Sequence, residues 1–162
     1  MNVVFVADYF IEDVLGGAEL STEVLIDSLR SRGFRIAKIR SADFNEVHLK
    51  ENLVITNFAK LSKHHRDLIT TQSNYIIIER DQKYVKTRNL TYYPNFIAPK
   101  SEIVNKHFYK NAKSVLCLTS KHTELTKANL QLDNIFNLGC THFSEEQLQM
   151  IESNIKEEKN GK

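Results

Sequence analysis

The sequence predicts an α/β fold: a doubly wound, mostly parallel sheet of six strands with helices on both faces. Three observations lead there. Six short apolar runs rich in β-branched residues recur along the chain, too short for helices, and several are apolar without alternation, as strands covered on both faces are. Stretches of helical period separate most of them, and a parallel crossover needs such a helix. A length of 162 residues, 41% hydrophobic and 26% charged, suits one domain around one core, expected over 1–162.

Val3-Val4-Phe5-Val6-Ala7 is the first strand. Asp8 to Leu15 then loops over the strand end, and Gly16-Gly17 leads into a helix whose Leu20, Val24, Leu25 and Leu29 share one face until Gly33 stops it. Phe34 to Arg40 alternates apolar with basic residues, as a strand nearer the sheet edge does, and Leu53 to Thr56 is the third strand. Lys60 to Gln72 carries Leu61, His65, Leu68 and Ile69 at helical spacing, and the fourth strand, Tyr75 to Ile78, ends abruptly in Glu79-Arg80-Asp81. No period runs through Gln82 to Lys100, and Pro94 and Pro99 break regular structure, so a long loop is expected there. Ser101 reads as the N-cap of a helix through Ile103, Val104, Phe108 and Tyr109, followed by a fifth strand from Ser114 to Leu118. A helix over Lys121 to Leu130, a sixth strand over Asn134 to Leu138 closed by Gly139, and a last helix opened by the capping pair Ser144 and Gln147 complete the chain.

The first three strands are expected to wind one way and the next three the other. That order puts the ligand crevice between the first and fourth strands, walled by Asp8 to Gly17 and by the turn from Glu79 to Lys83, with Ser120 beside it. A formal charge of +2 supplies no field to recruit nucleic acid. No apolar run approaches the roughly 18 residues of a membrane span, and the amino terminus shows no leader, so a cytoplasmic location is expected. Cys117 and Cys140 stand apart with no metal or redox spacing and read as reduced thiols, while His64, His65 and His122 lack ligand spacing and read as helix-surface residues. No metal and no cofactor are expected.

The pattern VVFVADYF…GGAELSTEVLIDSLRSRGF, together with SVLCLTSKHTELTKANL and IIIERDQKYVKTRNL, resembles the amino-terminal Rossmann-like domain of GT-B glycosyltransferases of the retaining, nucleotide-sugar-using group. In that family the first domain holds the acceptor, a second holds the sugar nucleotide, and transfer occurs in the cleft between them. The resemblance implies a small-molecule sugar acceptor here and a nucleotide-sugar donor held by a second domain that has no counterpart in these residues. It therefore implies a chain that is inactive by itself.

By the same resemblance Gly16 and Gly17 bring backbone amides near the donor diphosphate, although a tight strand-to-helix turn would use glycines equally. Glu19 falls in the first helical turn, where the helix dipole also favours it. Asp81 or Glu79 is the candidate to orient an acceptor hydroxyl or to stabilise positive charge on the sugar, against the alternative of an ion pair with Arg80. Asp8, Arg80, Lys83, Arg88 and Ser120 are the candidate acceptor contacts. Between Arg80 and Lys110 seven basic residues face two acidic ones with Tyr84, Tyr92 and Tyr93 interleaved, a pattern suited either to an anionic acceptor or to a solvated loop. The competing reading is a stand-alone Rossmann-type module for a nucleotide or phosphate ligand, or for interaction with another subunit. The first turn lacks GxGxxG and the chain lacks GxxxxGK[ST], which argues against a dinucleotide dehydrogenase and a P-loop enzyme.

Overall fold

The computed structural model describes residues 2–139 and 143–160. The elements alternate in chain order: β1 (Asn2–Ala7), α1 (Gly17–Ser31), β2 (Arg35–Arg40), β3 (Asn52–Ile55), α2 (Lys63–Gln72), β4 (Asn74–Glu79), α3 (Lys106–Asn111), β5 (Ser114–Cys117), α4 (Ser120–Leu130), β6 (Ile135–Asn137) and α5 (Glu145–Asn160). All five strand pairings are parallel, in the order β2-β1-β3-β4-β5-β6. The doubly wound Rossmann-like sheet expected from the sequence is therefore present.

Its winding differs from the expectation in one respect. The strand beside β1 on the inner side is β3, not β4, so the direction of winding reverses between β1 and β3. The physical reason lies in the strands themselves. Leu53, Val54 and Ile55 are buried in succession and need a neighbour on each side, whereas Arg35, Lys38 and Arg40 make β2 a half-exposed strand fit for an edge. The chain therefore crosses from β2 past β1 with only a short 3-10 turn, Glu46–Lys50, in the connection.

Each face of the sheet carries its own apolar cluster. Val4, Val6, Leu53, Ile55, Tyr75, Ile77 and Val115 pack under α2, α3 and α4, joined by Ile69, Tyr109 and Leu130. On the other face Val3, Phe5, Val54 and Ile78 pack with Ile26 of α1. Gly33 follows α1 at φ +84°, the left-handed position that ends a helix without a Cβ penalty. Ser144 and Gln147 form the expected reciprocal cap of α5, through Ser144 N–H to Gln147 Oε1 (2.9 Å) and Gln147 N–H to Ser144 Oγ (3.2 Å).

Two expectations on the segment after β4 are corrected. Ser101 is no N-cap: it lies in a 3-10 turn, Lys100–Glu102, and α3 starts later, behind Asn105 in a left-handed conformation with no side-chain cap. The segment is also no solvated loop. Tyr84, Val85 and Leu90 are fully buried in the larger core cluster, so Tyr84 offers no ring to a ligand. Two further 3-10 turns, Leu90–Tyr92 and Pro94–Phe96, replace the missing period. Cys117 is buried with its thiol 3.6 Å from Thr126 Oγ1, and burial pushes it up to about 11. Cys140 lies outside the described residues.

Candidate functional site

The carboxyl ends of β1, β3 and β4 open on one crevice, of about 90 Å³ at its narrow base, between Thr22 of α1, Asn57 after β3, and Arg80, Asp81 and Lys83 after β4. A wider space of about 430 Å³ continues from it along Gly17, Ser21, Arg80 and Phe143. The reversal of winding at β1 and β3 is what leaves this gap, because the connections leaving the two strands part to opposite faces.

Asp8, at the end of β1, is buried and accepts the backbone N–H groups of Ala59 and Lys60, each at 2.9 Å. It clamps the loop after β3 and so shapes the crevice wall. Glu79, at the end of β4, is 0% exposed. Its Oε1 accepts the N–H groups of Asp81 (2.8 Å) and Gln82 (2.6 Å), and its Oε2 accepts the Tyr109 hydroxyl. Burial and the adjoining carboxylate push the Tyr109 hydroxyl well above its ordinary value, so it stays a donor. Glu79 thus fixes the turn that presents the next residues; both its oxygens are engaged, and it makes no ion pair with Arg80.

That turn carries charge into the crevice. Asp81 is 37% exposed at its side chain and ion-paired to both Lys83 and Arg88. Lys83 is only 4% exposed, its Nζ 5.4 Å from the centre of the Phe58 ring, and burial lowers its affinity for a proton while Glu79 and Asp8 oppose that shift. Arg80 is half-buried. Its Nη2 lies 3.3 Å from the hydroxyls of Ser21 and Thr22, and its Nε has no hydrogen-bond partner among the described residues. Burial depresses its guanidinium, and Glu19 is the charge that offsets this.

Opposite Arg80, Gly16 begins α1 with extended backbone and no side-chain cap. The first helical amides are left for other partners. Around Gly17 nothing lies within 4 Å of where a Cβ would stand. At Gly16 a Cβ would meet the Glu19 carboxylate, which folds back over the positive end of the helix.

Compared with family models and with curated proteins, the chain matches none. The site therefore rests on its own geometry. The fold brings Asp8, Gly17, Glu19, Arg80, Asp81 and Lys83 to one rim. Arg88 reaches it through Asp81, whereas Ser120 opens α4 exposed and does not line the crevice.

Several residues of the rim escaped the sequence reading. Thr22 and Ser21 lie one turn into α1 on its buried side, which the spacing from Gly17 could have shown. Asn57 directly follows a strand end, and its Oδ1 is buried without a partner among the described residues. Outside the crevice lining, His122, expected on a helix surface, has its Nε2 buried without a partner among the described residues, and burial lowers its affinity for a proton, with Glu79 opposing that shift and Lys83 adding to it. Its contacts come from tertiary packing and had no local signal. Among the described residues no group of His, Cys, Asp and Glu could hold a metal ion, and no helix is long and apolar enough to cross a membrane.

Proposed function

We propose that this chain is the acceptor-side domain of a nucleotide-sugar-dependent glycosyltransferase, which transfers a sugar to an acceptor hydroxyl in concert with a donor-binding domain. One observation carries the reading: a half-buried Arg80 guanidinium, hydrogen-bonded among the described residues only to hydroxyls and offset by the Glu19 charge, stands beside the start of a 15-residue helix that has no side-chain cap and open space over Gly17. Backbone amides, a helix dipole and a desolvated cation converge there as an anionic diphosphate requires. The acceptor occupies the crevice below, where Asp81, held by Lys83 and Arg88, accepts and orients its hydroxyl. Glu79 is a positioning residue in this scheme.

The narrow base of about 90 Å³ favours a second reading, a module that binds only a small phosphate ligand. Titration of the whole chain with uridine and guanosine diphosphate sugars and with candidate acceptor sugars separates the two. Acceptor binding that Asp81→Asn weakens, with transfer appearing once a donor-binding domain is supplied, supports the transferase. Binding of phosphate compounds alone, lost in Arg80→Gln, with no transfer under any combination, leaves the module.

A further inference from the structure

A second groove lies behind Lys83, on the far side from the crevice, between the start of α2 and the segment after β4. Its volume is about 210 Å³, its apolar wall includes the buried Phe58 and Val85, and Arg66, Lys83, Lys86 and Arg88 converge on it. Among the described residues two carboxylates stand in ion-pair contact with them. Asp81 is shared between Lys83 and Arg88, and Glu102 stands 3.4 Å from Lys86. Arg66 has no carboxylate in ion-pair contact among the described residues: it donates to the carbonyl of Leu61, and the neighbouring Asp67 is taken by Lys63 at 2.6 Å. Desolvation depresses the Arg66 guanidinium, and only Asp67 opposes it. Glu79 and Asp8 also act on Lys83, so the positive charge left to the groove is centred on Arg66, beside an apolar wall.

We infer that this groove binds a phosphomonoester, with Arg66 and Arg88 taking phosphate oxygens in guanidinium pairs and Lys86 closing the mouth. A tetrahedral group with three terminal oxygens can meet Arg66 from α2 and Lys86 and Arg88 from the segment after β4. Lys83 is the common wall of groove and crevice, and a phosphate that takes Arg88 competes with Asp81 for it, so an occupant of the groove loosens the ion-pair set that fixes Asp81. The site stands apart from Arg80 and does not depend on the transferase reading.

A phosphomonoester on a soluble sugar and one on a lipid headgroup share this chemistry. The test is calorimetric titration of the full chain with inorganic phosphate, then with glucose 6-phosphate and with vesicles containing phosphatidic acid. Saturable phosphate binding is expected, weakened about tenfold in Arg66→Gln and several-fold in the half-exposed Lys86→Gln. Amide shifts in spectra of the phosphate complex should centre on Ala59 to Arg66 and Val85 to Arg88. Tighter binding of glucose 6-phosphate assigns a soluble ligand, and preference for the vesicles assigns a headgroup. The inference is overturned by no saturable binding up to about 10 mM phosphate, or by equal affinity in the folded Arg66→Gln and Lys86→Gln variants.

Discussion

The two walls of the crevice are built in opposite ways. The wall after β1 is thin: Phe10 is its single buried apolar anchor, Leu15 is 80% exposed, and its shape is kept by surface pairs of Glu12 with Lys38 and Asp13 with Arg40. The wall after β4 is an inward fold of the core, with Tyr84, Val85 and Leu90 buried and Lys83 buried among them. Gln82 and Asn105, both left-handed non-glycine residues, tie it by side chain to Leu90 N–H and to the Lys83 carbonyl, each at 2.8 Å. One wall can adjust to what binds; the other holds charge at a fixed place.

Substitution should expose that contrast first at Tyr84. Tyr84→Ala removes a fully buried ring and should destabilise the fold by about 3–5 kcal/mol, measured by urea unfolding. Leu15→Ser in the thin wall should stay within about 0.5 kcal/mol, and equal losses at the two sites would break the comparison. Asn129→Ala comes next, because this side chain accepts Ala98 N–H (2.8 Å) and donates to the Phe96 carbonyl (2.9 Å); a loss of about 1–3 kcal/mol is expected.

Acid should attack the wall after β1, and alkali the core strand β4 together with the wall that follows it. Hydrogen bonds from Lys38 and Arg40 hold Glu12 and Asp13 below their ordinary values, so their contribution is present above the ordinary carboxyl range and is lost as pH falls toward the folded values. Burial pushes Tyr75 up to about 12 and raises Tyr84 further, so their contribution is intact below 10.0 and is lost as pH climbs toward the folded values. Melting temperatures followed from acid to alkali should therefore fall at both ends, with the tyrosinate step of the buried Tyr75, Tyr84 and Tyr109 coinciding with unfolding in alkali. The smallest effect on stability is expected at Gly17→Ala, within about 0.5 kcal/mol, since its Cβ meets no atom. The same methyl should weaken nucleotide-sugar binding at the helix start, and Glu19→Gln should strengthen it by removing the carboxylate that competes there.

Periodicity made the sheet legible: the unbroken run Val3 to Ala7 and the alternation of Phe34 to Arg40 each say which strands are central and which lie at an edge. The place of β3 was readable from the same rule, in Leu53-Val54-Ile55, but an order of strands built by counting did not use it. Glu79, Arg80 and Asp81 were found as a charged strand end. Their separation into a buried clamp, a half-buried guanidinium and a paired carboxylate depends on Tyr109, Ser21 and Lys83, which lie 30, 59 and 2 residues away from their partners. The segment after β4 defeated pattern reading because its buried residues, Tyr84, Leu90 and Ala98, follow a folded path with no repeat.

That path begins and ends at nearly the same point. Lys86 N–H bonds the Glu102 carbonyl (3.0 Å), Val104 N–H bonds the Tyr84 carbonyl (2.8 Å), and Val85 bridges antiparallel to Ile103. The stretch between is a lobe closed by a two-rung neck, with Leu90 and Ala98 seated in the core and its tip around Tyr92 outside. Residues around Tyr92, which is exposed, can lengthen, shorten or be exchanged while the neck keeps the register of Lys83 on one side and α3 on the other. Lineages that share this sheet would then diverge in the lobe before they diverge in the crevice.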